Sequence, residues 1–352
     1  LSNDEYQNNI QPIFQISADL ESAPVLGAGN FGKVCKVDIH DNKEAWMQAG
    51  LLNQDSSVVA IKTLKDGNEN DLLREAAFCE KVRQAYLIEK EKNPAFQPPC
   101  SIGSLVEIDG KKCIASRFEG GGRILEHLAN KKDPAQLIKF LDELYKGMEF
   151  LHQQGMLHRD IRADNCLLSS EGHLRLSDFG RCMEYDKETG YVATHEKVDR
   201  TGPLKWMNSE ELKECKPSKA SDLFSMKIAM LEILATFSGQ GTPAISVLFP
   251  GDKKEVATAR FHKKDHEAIK EVFDRLLEKV PMMKQLESFF KTERIENMDE
   301  YMQKSREIFS QAIIVLRQQY PAENALSQPI VTRTATNESG DDDYAVTAPK
   351  KN

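Results

Sequence analysis

The side chains best suited to chemistry lie in two short stretches, HRDIRADN and LSDFG. The first holds Asp160 and Asn165 with Arg162 between them, and the second contributes Asp178. A buried loop tolerates so many charged groups only if each has a partner. Carboxylate and amide oxygens are also the ligands that Mg²⁺ prefers. We therefore predict a magnesium site at Asn165 and Asp178, beside a further carboxylate at Asp160.

Phosphoryl transfer from ATP fits these groups, because that reaction asks a protein mainly to position reactants and to neutralise developing charge. Asp160 would orient the attacking hydroxyl and accept its proton, and Asn165 would bind metal without adding charge next to it. Gly180 gives the backbone freedom after Asp178, and Phe179 can pack as an apolar brace. Taken singly, the HRD stretch also fits a surface salt-bridge cluster and DFG an ordinary turn.

The stretch GAGNFGKV contains three glycines, Gly27, Gly29 and Gly32, between two β-favouring runs. Glycines let a backbone come within contact distance of phosphate oxygens, which accept its exposed N–H groups. A dinucleotide-binding fold would place a helix next, whereas KVCKVDI favours a strand. The stretch therefore predicts a phosphate-binding loop, with a glycine-rich hairpin as the alternative.

Lys62 ends the apolar run VVAIK. A lysine in this place either reaches outward to water or is a fixed cation that faces phosphate oxygens. A buried lysine needs a carboxylate partner. We expect Glu75 on the following helix to supply it, with Glu69 and Glu80 as alternatives because the register of the helix is open.

Composition limits the class of protein. The 352 residues carry a net charge of −8, with 40% hydrophobic and 29% charged residues, which is typical of a globular protein and disfavours nucleic-acid binding. We find no transmembrane segment and no signal segment. The seven scattered cysteines predict free thiols in a reducing, intracellular and cytoplasmic setting. The chain begins with Leu1, so the parent protein is expected to be longer.

The pattern of elements changes along the chain. A strand-rich part contains one helix, ENDLLREAAFCEKVRQAYLIEKEK, and a hairpin that turns at Asp109 and Gly110. A mainly helical part follows, in which DPAQLIKFLDELYKGMEFLHQQ ends at Gly155. The predicted organisation is an N-terminal flank, a small lobe, a large lobe with divergent C-terminal helices and a disordered acidic tail, over residues 1–15, 16–116, 117–320 and 321–352 respectively.

The ordered series G-x-G-x-x-G-x-V, A-I-K, a helical glutamate, H-R-D-x-x-x-x-N and D-F-G resembles the eukaryotic-type protein kinase superfamily over roughly residues 20–245. The resemblance implies an α+β, bilobal protein kinase fold. A small five-stranded β lobe with one helix would lie over a larger helical lobe, with ATP and Mg²⁺ in the cleft. The implied catalytic residues are Lys62, Glu75, Asp160 and Arg162, with Asn165 and Asp178 as metal ligands. The implied nucleotide contacts are Gly27, Gly29, Phe31, Gly32, Val34, Ala60, Lys62, Ser116, Phe118 and Leu167, and the hinge falls on residues 117–120.

Two markers resemble tyrosine kinases in particular. HRDIRADN is similar to the HRDLRAAN catalytic loop of Src-type enzymes, with Arg162 where serine/threonine kinases usually carry lysine. GPLKWM is similar to the segment that shapes their tyrosine platform, and Asp222 in SDLFSM would brace the catalytic-loop backbone. The resemblance therefore predicts protein substrates phosphorylated on tyrosine, with dual specificity as the next alternative.

Three tyrosines are candidate phosphosites. Tyr191 lies about where the family's activating tyrosine would, and its phosphate could pair with Arg159 and Arg181. Tyr185 lies in the same loop. Tyr344 follows three aspartates in the tail, where self-phosphorylation could recruit a phosphotyrosine-reading partner; a merely solubilising tail is the alternative.

The chain also departs from the family pattern. Asn208 and Ser209 replace the usual alanine and proline before Glu210, and Lys227 occupies a place where glycine is typical. A long insertion separates two small-lobe strands, and the arginine expected to pair with Glu210 is unassigned. These departures leave two alternatives open, a pseudokinase scaffold that binds nucleotide or a partner without turnover, and a kinase fold diverted to another nucleotidyl or small-molecule transfer.

Overall fold

A computed structural model of the chain describes residues 10–29, 32–53, 56–64, 69–192, 206–239 and 265–322. Its largest sheet has six strands in the order β1-β5-β6-β4-β3-β2, antiparallel except for the parallel pair of β1 and β5. The strands are β1 (Gln15–Ile16), β2 (Val25–Gly29), β3 (Gly32–Asp38), β4 (Val58–Leu64), β5 (Gly103–Ile108) and β6 (Lys111–Arg117).

Two helices accompany this sheet, α1 (Lys43–Gln48) and α2 (Glu69–Lys92). Helix α2 has the bounds of the predicted helical stretch and packs on β5. The predicted hairpin turn also forms, with Asp109 and Gly110 both at positive φ (49° and 78°), as a tight two-residue hairpin requires.

The small lobe is larger than the five strands and one helix that we predicted. The additional strand β1 forms because the N-terminal segment extends along the free edge of β5, where the Ile13 N–H donates to the Leu105 carbonyl. The additional helix α1 lies in the insertion between β3 and β4. Both are held by packing, since the rings of Phe14 and Trp46 stack with centroids 4.4 Å apart.

The second lobe is mainly helical, as expected. Its helices are α3 (Ile124–Asn130), α4 (Pro134–Gln153), α5 (Ser209–Glu214), α6 (Lys219–Phe237), α7 (Asp265–Leu277), α8 (Glu287–Phe290) and α9 (Met298–Gln319). This lobe also contains short strands in two small sheets: β7 (Gly122–Arg123), β8 (Met156–Leu157), β9 (Cys166–Leu168), β10 (Leu174–Leu176) and β11 (Met183–Glu184). Short 3₁₀ helices occupy Ala163–Asn165 and Pro281–Leu286.

Local sequence explains the ends of the two central helices. The Asp133 carboxylate accepts the N–H of Ala135 at the start of α4, and Gly155 follows its last turn at φ 76°. A capping box between Ser218 and Ser221 starts α6. Helix α6 is buried from residue 220 to residue 236 and forms the centre of this lobe.

The divergent C-terminal helices complete the lobe by aromatic packing. Tyr145 of α4 stacks on Phe309 of α9 with ring centroids 4.4 Å apart, and the ring centroids of Phe289 and Phe309 are 4.9 Å apart.

All seven cysteines are free thiols, as predicted. Within the described ranges, no helix combines the length and the apolar character that crossing a membrane requires.

Candidate active site

A three-membered charge cluster joins the small lobe to the large lobe. Lys62 Nζ on β4 lies 2.8 Å from Glu75 Oε1 on α2 and 3.2 Å from Asp178 Oδ1. Burial disfavours the ammonium, but the two carboxylates outweigh that cost and raise the pKa of Lys62 above its ordinary value. The same ammonium lowers the pKa of Asp178 against its own burial. Lys62 and Asp178 are therefore both charged at neutral pH.

The structure selects Glu75 from the three carboxylates considered as partners of Lys62. Glu69 pairs with Lys112 at 2.8 Å, and Glu80 pairs with Arg83 at 2.5 Å. Since each helical residue turns about 100°, Glu75 points about 120° away from Glu69 and about 140° away from Glu80 around α2. Only Glu75 faces the ammonium.

The backbone around Asp178 is shaped for close contact. Asp178 adopts φ 67°, an unfavourable conformation for a residue with a side chain. A Cβ at Gly180 would lie 3.2 Å from Glu75 Oε2 and 3.4 Å from Asp178 Oδ1, so a side chain there would press on the charge cluster. The buried ring of Phe179 packs edge-on against His158, with centroids 5.8 Å apart.

The Asp160 carboxylate has one oxygen, Oδ1, that is buried and lacks a hydrogen-bond partner among the described residues. Burial raises the pKa of this carboxyl above its usual value, an effect that Arg162 and His158 partly offset. An unpartnered buried oxygen is costly unless another molecule supplies a donor. Asp160 is thus ready to accept a hydrogen bond from a hydroxyl group.

The amide of Asn165 is oriented by the catalytic loop itself. Its Nδ2 donates to the Asp160 carbonyl at 2.8 Å, which leaves the amide oxygen for another ligand. The Asn165 carbonyl accepts the N–H and the hydroxyl of Ser177, both at 2.9 Å, which ties this loop to the residue before Asp178. Within the described ranges, no group of three His, Cys, Asp or Glu side chains could hold a metal ion. An ion held by Asn165 and Asp178 would therefore need further oxygens from bound phosphate groups or from water.

Two carboxylates of α6 accept hydrogen bonds from the backbone of the catalytic loop. Asp222 accepts the N–H of His158 at 2.8 Å and the N–H of Arg159 at 2.9 Å, as its position in the sequence predicted. Glu232 accepts the N–H of Ala163 at 3.1 Å and the indole N–H of Trp206 at 3.0 Å. Burial raises the pKa of Glu232 to about 7 although both donors favour the charged form. Glu232 was not among the predicted site residues because it belongs to no local sequence motif.

The predicted nucleotide contacts on β3, β4 and β6 share a pattern of partial exposure. Val34, Ala60 and Ser116 are partly exposed, whereas Cys35, Val59 and Ile61 beside them on the same strands are buried.

The structure also describes other residues of the predicted set. Phe118 and Leu167, from the hinge and from β9, are partly exposed like the strand residues. Gly27 and Gly29 on β2 face Val34 and Gly32 of β3 in the glycine-rich hairpin. Phe31 lies outside the described residues.

Arg162 of the catalytic loop contacts the segment that was predicted to receive substrate. Its guanidinium lies 5.3 Å from the centroid of the Trp206 ring, and its Nη2 lies 2.9 Å from Asp164 Oδ2. Trp206 itself is buried. Residues 202–205 of the platform segment are outside the described ranges.

The arginine that pairs with Glu210 is Arg294, which sequence analysis left unassigned. The sequence gave no indication of this pairing, because the two residues lie in segments without a shared motif.

Asn208, one of the departures from the family pattern, has a structural reason. Its side chain accepts the Glu211 N–H at 2.8 Å and so caps helix α5.

The unmodified Tyr191 side chain contacts an arginine that was not considered as its partner. Its hydroxyl donates to Glu210 Oε1 at 3.0 Å and accepts from Arg294 at 2.6 Å. Pairing of a Tyr191 phosphate with Arg159 and Arg181 stays a prediction. Those arginines have other partners, and Arg159 Nε lies 3.4 Å from Glu211.

The other two candidate phosphosites differ in what the structure shows. The Tyr185 hydroxyl donates to the His152 carbonyl at 2.6 Å and is therefore occupied within the fold. Tyr344 lies outside the described residues.

This bilobal arrangement, with a lysine–glutamate–aspartate cluster above a loop that presents a free carboxylate, is that of a protein kinase domain. A family model described as protein tyrosine and serine/threonine kinase matches residues 20–278, and the chain belongs to that family. Membership implies the use of ATP and a divalent metal ion in general. The bilobal α+β fold that we predicted is confirmed.

Individual relatives are similar at a modest level. Ribosomal protein S6 kinase beta of Caenorhabditis elegans is 27% identical over 218 residues, which cover 61% of this chain and 36% of the relative. Ephrin type-A receptor 5 and ephrin type-A receptor 7, both of Gallus gallus, are each 28% identical over 244 and 249 residues, 65% of this chain and 22% of each relative. The chain thus spans about a fifth to a third of the length of these relatives.

Proposed function

We propose that this chain transfers the γ-phosphoryl group of ATP to a protein hydroxyl, most readily that of tyrosine. One observation carries the proposal: Lys62 lies within 3.2 Å of both Glu75 and Asp178, while the Asp160 carboxylate is left free in the same cleft. The first arrangement supplies a fixed cation for phosphate oxygens. The second supplies a proton acceptor for the incoming hydroxyl.

Each group has a definite role in this proposal. The glycine-rich hairpin brings backbone N–H groups to the phosphates, and Lys62, oriented by Glu75, neutralises their oxygens. Asn165 and Asp178 would hold Mg²⁺, which supplies positive charge to the phosphates when it is bound. Asp160 accepts a hydrogen bond from the acceptor hydroxyl and then its proton.

The preference for tyrosine rests on the side chains below the cleft. Arg162 lies over the Trp206 ring, and Glu232 holds both this tryptophan and the backbone of the catalytic loop. The cation–π contact and the buried hydrogen bond together fix the position of Trp206. Because a tyrosine side chain reaches farther than serine, the backbone of a tyrosine substrate would have to be held farther from Asp160, and a fixed Trp206 would suit such a platform. The family description covers both acceptor classes, which makes acceptor identity the property to test.

Acceptor specificity is the first prediction. Incubation with Mg²⁺, γ-labelled ATP and either a poly-Glu-Tyr polymer or a serine/threonine peptide is expected to label the tyrosine polymer at least about tenfold faster. Acid hydrolysis and phosphoamino-acid separation identify the product. Faster labelling of serine or threonine would overturn the tyrosine assignment. Nucleotide binding without transfer would identify a pseudokinase, and label delivered as AMP or onto a metabolite would identify another transferase.

Tyr191 is proposed as a phosphosite that controls activity. Phosphate on its hydroxyl cannot donate to Glu210, but it adds negative charge beside Arg294, where a charge-assisted contact holds the loop. We expect phosphatase treatment to lower the kcat of the self-phosphorylated wild type about fivefold, and we expect Tyr191→Phe to be slow and insensitive to phosphatase. Steady-state assays before and after treatment measure this, with Tyr185→Phe as the matched control that stays sensitive. Equal activity of both wild-type forms would exclude Tyr191 as a control point.

Tyr344 is proposed as a self-phosphorylation site that a phosphotyrosine-reading protein binds. The proposal rests on sequence alone, in which three aspartates precede this tyrosine. Other partners are protein substrates.

A further inference from the structure

The insertion between β3 and β4 is described over residues 39–53 and 56–57, and this part packs on the small lobe instead of extending into solvent. Trp46, Leu51 and Leu52 are buried in the core of this lobe, and Trp46 stacks on Phe14 from the N-terminal segment. The insertion therefore has a fixed position relative to the sheet.

Arg117 links this insertion to helix α2. Its Nε donates to the Gly50 carbonyl at 2.8 Å, and its Nη2 donates to the Tyr86 hydroxyl at 3.0 Å. The guanidinium also lies 4.9 Å from the centre of the Tyr86 ring. Arg117 is 7% exposed, so these contacts are made away from water, where hydrogen bonds to a charged group are strongest.

A second contact joins the same two elements. Arg83 of α2 donates from Nη1 to the Ala49 carbonyl at 3.2 Å. Gly50 has φ 79°, and a Cβ there would lie 3.1 Å from the Tyr86 ring, so the backbone and the helix are in close contact. The insertion therefore contacts α2 through Arg83 and Tyr86, on two successive turns.

These attachments bear on the charge cluster because Glu75 lies on the same helix, about two turns before Arg83. A helix attached on two successive turns cannot rotate or slide freely, so the direction of Glu75 is set as well. We infer that Arg117 and Tyr86 are positioning residues, which use the insertion as a brace to hold α2 with Glu75 against Lys62. The inference deepens the proposed function and rests on it, since it concerns the geometry of the same transfer.

A double-mutant cycle tests whether the brace acts through Glu75. Arg117→Met removes both hydrogen bonds at similar length, and we expect it to lower kcat about tenfold through misplacement of Glu75. In a Glu75→Gln background the same change is expected to lower kcat less than about twofold, because there is no longer a correctly placed carboxylate to lose. Multiplicative effects of the two substitutions would overturn the inference. Val37→Ala, which changes a buried side chain of β3, is the control. Its effect on kcat and that of Glu75→Gln are expected to multiply in the double variant.

Hydrogen exchange of α2 gives a readout that does not depend on activity. Amides of residues 72–79 are expected to exchange at least about tenfold faster in Arg117→Met than in wild type, and to stay unchanged in Val37→Ala. Unchanged exchange in Arg117→Met would overturn the inference even if no phosphoryl transfer is found. If the wild type is inactive but amides of residues 72–79 exchange faster in Arg117→Met, the positioning role of Arg117 is supported and only the proposed function is wrong.

Tyr86→Phe keeps the inference testable if Arg117→Met does not fold. It removes only the hydroxyl that Arg117 Nη2 contacts, so we expect a loss in kcat of about threefold that again disappears in Glu75→Gln. A loss that persists in that background would contradict a positioning role.

Discussion

Asp160→Asn is expected to lower kcat by about 10³-fold, because the loss of a positioned proton acceptor typically costs 10²- to 10⁴-fold. Asparagine has nearly the shape of aspartate but cannot take the proton of the acceptor hydroxyl. The substitution leaves the contacts of Lys62 with Glu75 and Asp178 in place, so affinity for Mg-nucleotide is expected to change less than about twofold. Steady-state rates on the tyrosine polymer, with calorimetric nucleotide titrations, measure both quantities.

Asp133→Asn is the matched control for this prediction. It makes the same chemical change in the same lobe, and asparagine caps a helix as well as aspartate does, so kcat is expected to stay unchanged. A fall of less than tenfold for Asp160→Asn would show that another group, or the substrate itself, takes the proton.

The raised pKa of Asp160 adds a pH dependence to the same assay. Transfer needs the deprotonated carboxylate, so kcat is expected to fall with decreasing pH, beginning above the range in which an ordinary aspartate titrates. Asp160→Asn is expected to remove this dependence.

Lys227→Met is expected to stabilise the protein by about 4 kcal/mol at pH 7 or below, since each pH unit between folded and unfolded pKa corresponds to about 1.4 kcal/mol. Lys227 lies in the middle of α6, 2% exposed, with its ammonium 4.9 Å from the centre of the Phe289 ring. It has no ion pair or hydrogen bond with any of the described residues. Burial lowers its pKa to about 7, and methionine fills a similar volume without charge.

The sign of the pH dependence follows from linkage. The unfolded lysine binds its proton up to about pH 10.4, whereas the folded one releases it near pH 7, so the unfolded state holds more protons between these values. The cost of Lys227 is therefore complete below pH 7 and fades as the pH rises toward 10. Urea unfolding at pH 6.5 and pH 9.5 is expected to show a large stabilisation by Lys227→Met that shrinks at the higher pH.

Lys131→Met is the control for Lys227, because Lys131 is exposed at the end of α3 and its loss is expected to change the free energy of unfolding by less than about 0.5 kcal/mol. A lower stability of Lys227→Met at pH 6.5 would mean that the ammonium is held by a partner and is charged in the folded protein. In that case the lysine at this position would stabilise the folded protein.

Much of the candidate site follows from residue order, because the groups that do chemistry are concentrated in short motifs. Local patterns are enough to predict Lys62, Asp160, Asn165 and Asp178 as candidate site residues. Helical spacing predicts α2 with its observed bounds, and the turn at Asp109 is predicted because two-residue hairpins demand particular residues. These features depend on neighbours within a few positions, so the sequence alone determines them.

Tertiary structure decided the features that depend on how separate segments meet. The choice of Glu75 over Glu69 and Glu80 required the rotation of α2 about its axis, which packing sets and which propensity does not. The pairing of Glu210 with Arg294 joins segments that share no motif.

The same reason applies to the contacts of Arg117 with the insertion. The sequence shows this insertion only as a loop of unusual length. Residue order determined which chemical groups this protein carries and where its main turns and helices lie. Only packing in three dimensions decided which of those groups face one another, because contacts between distant segments are chosen by the shape and burial of the whole lobe.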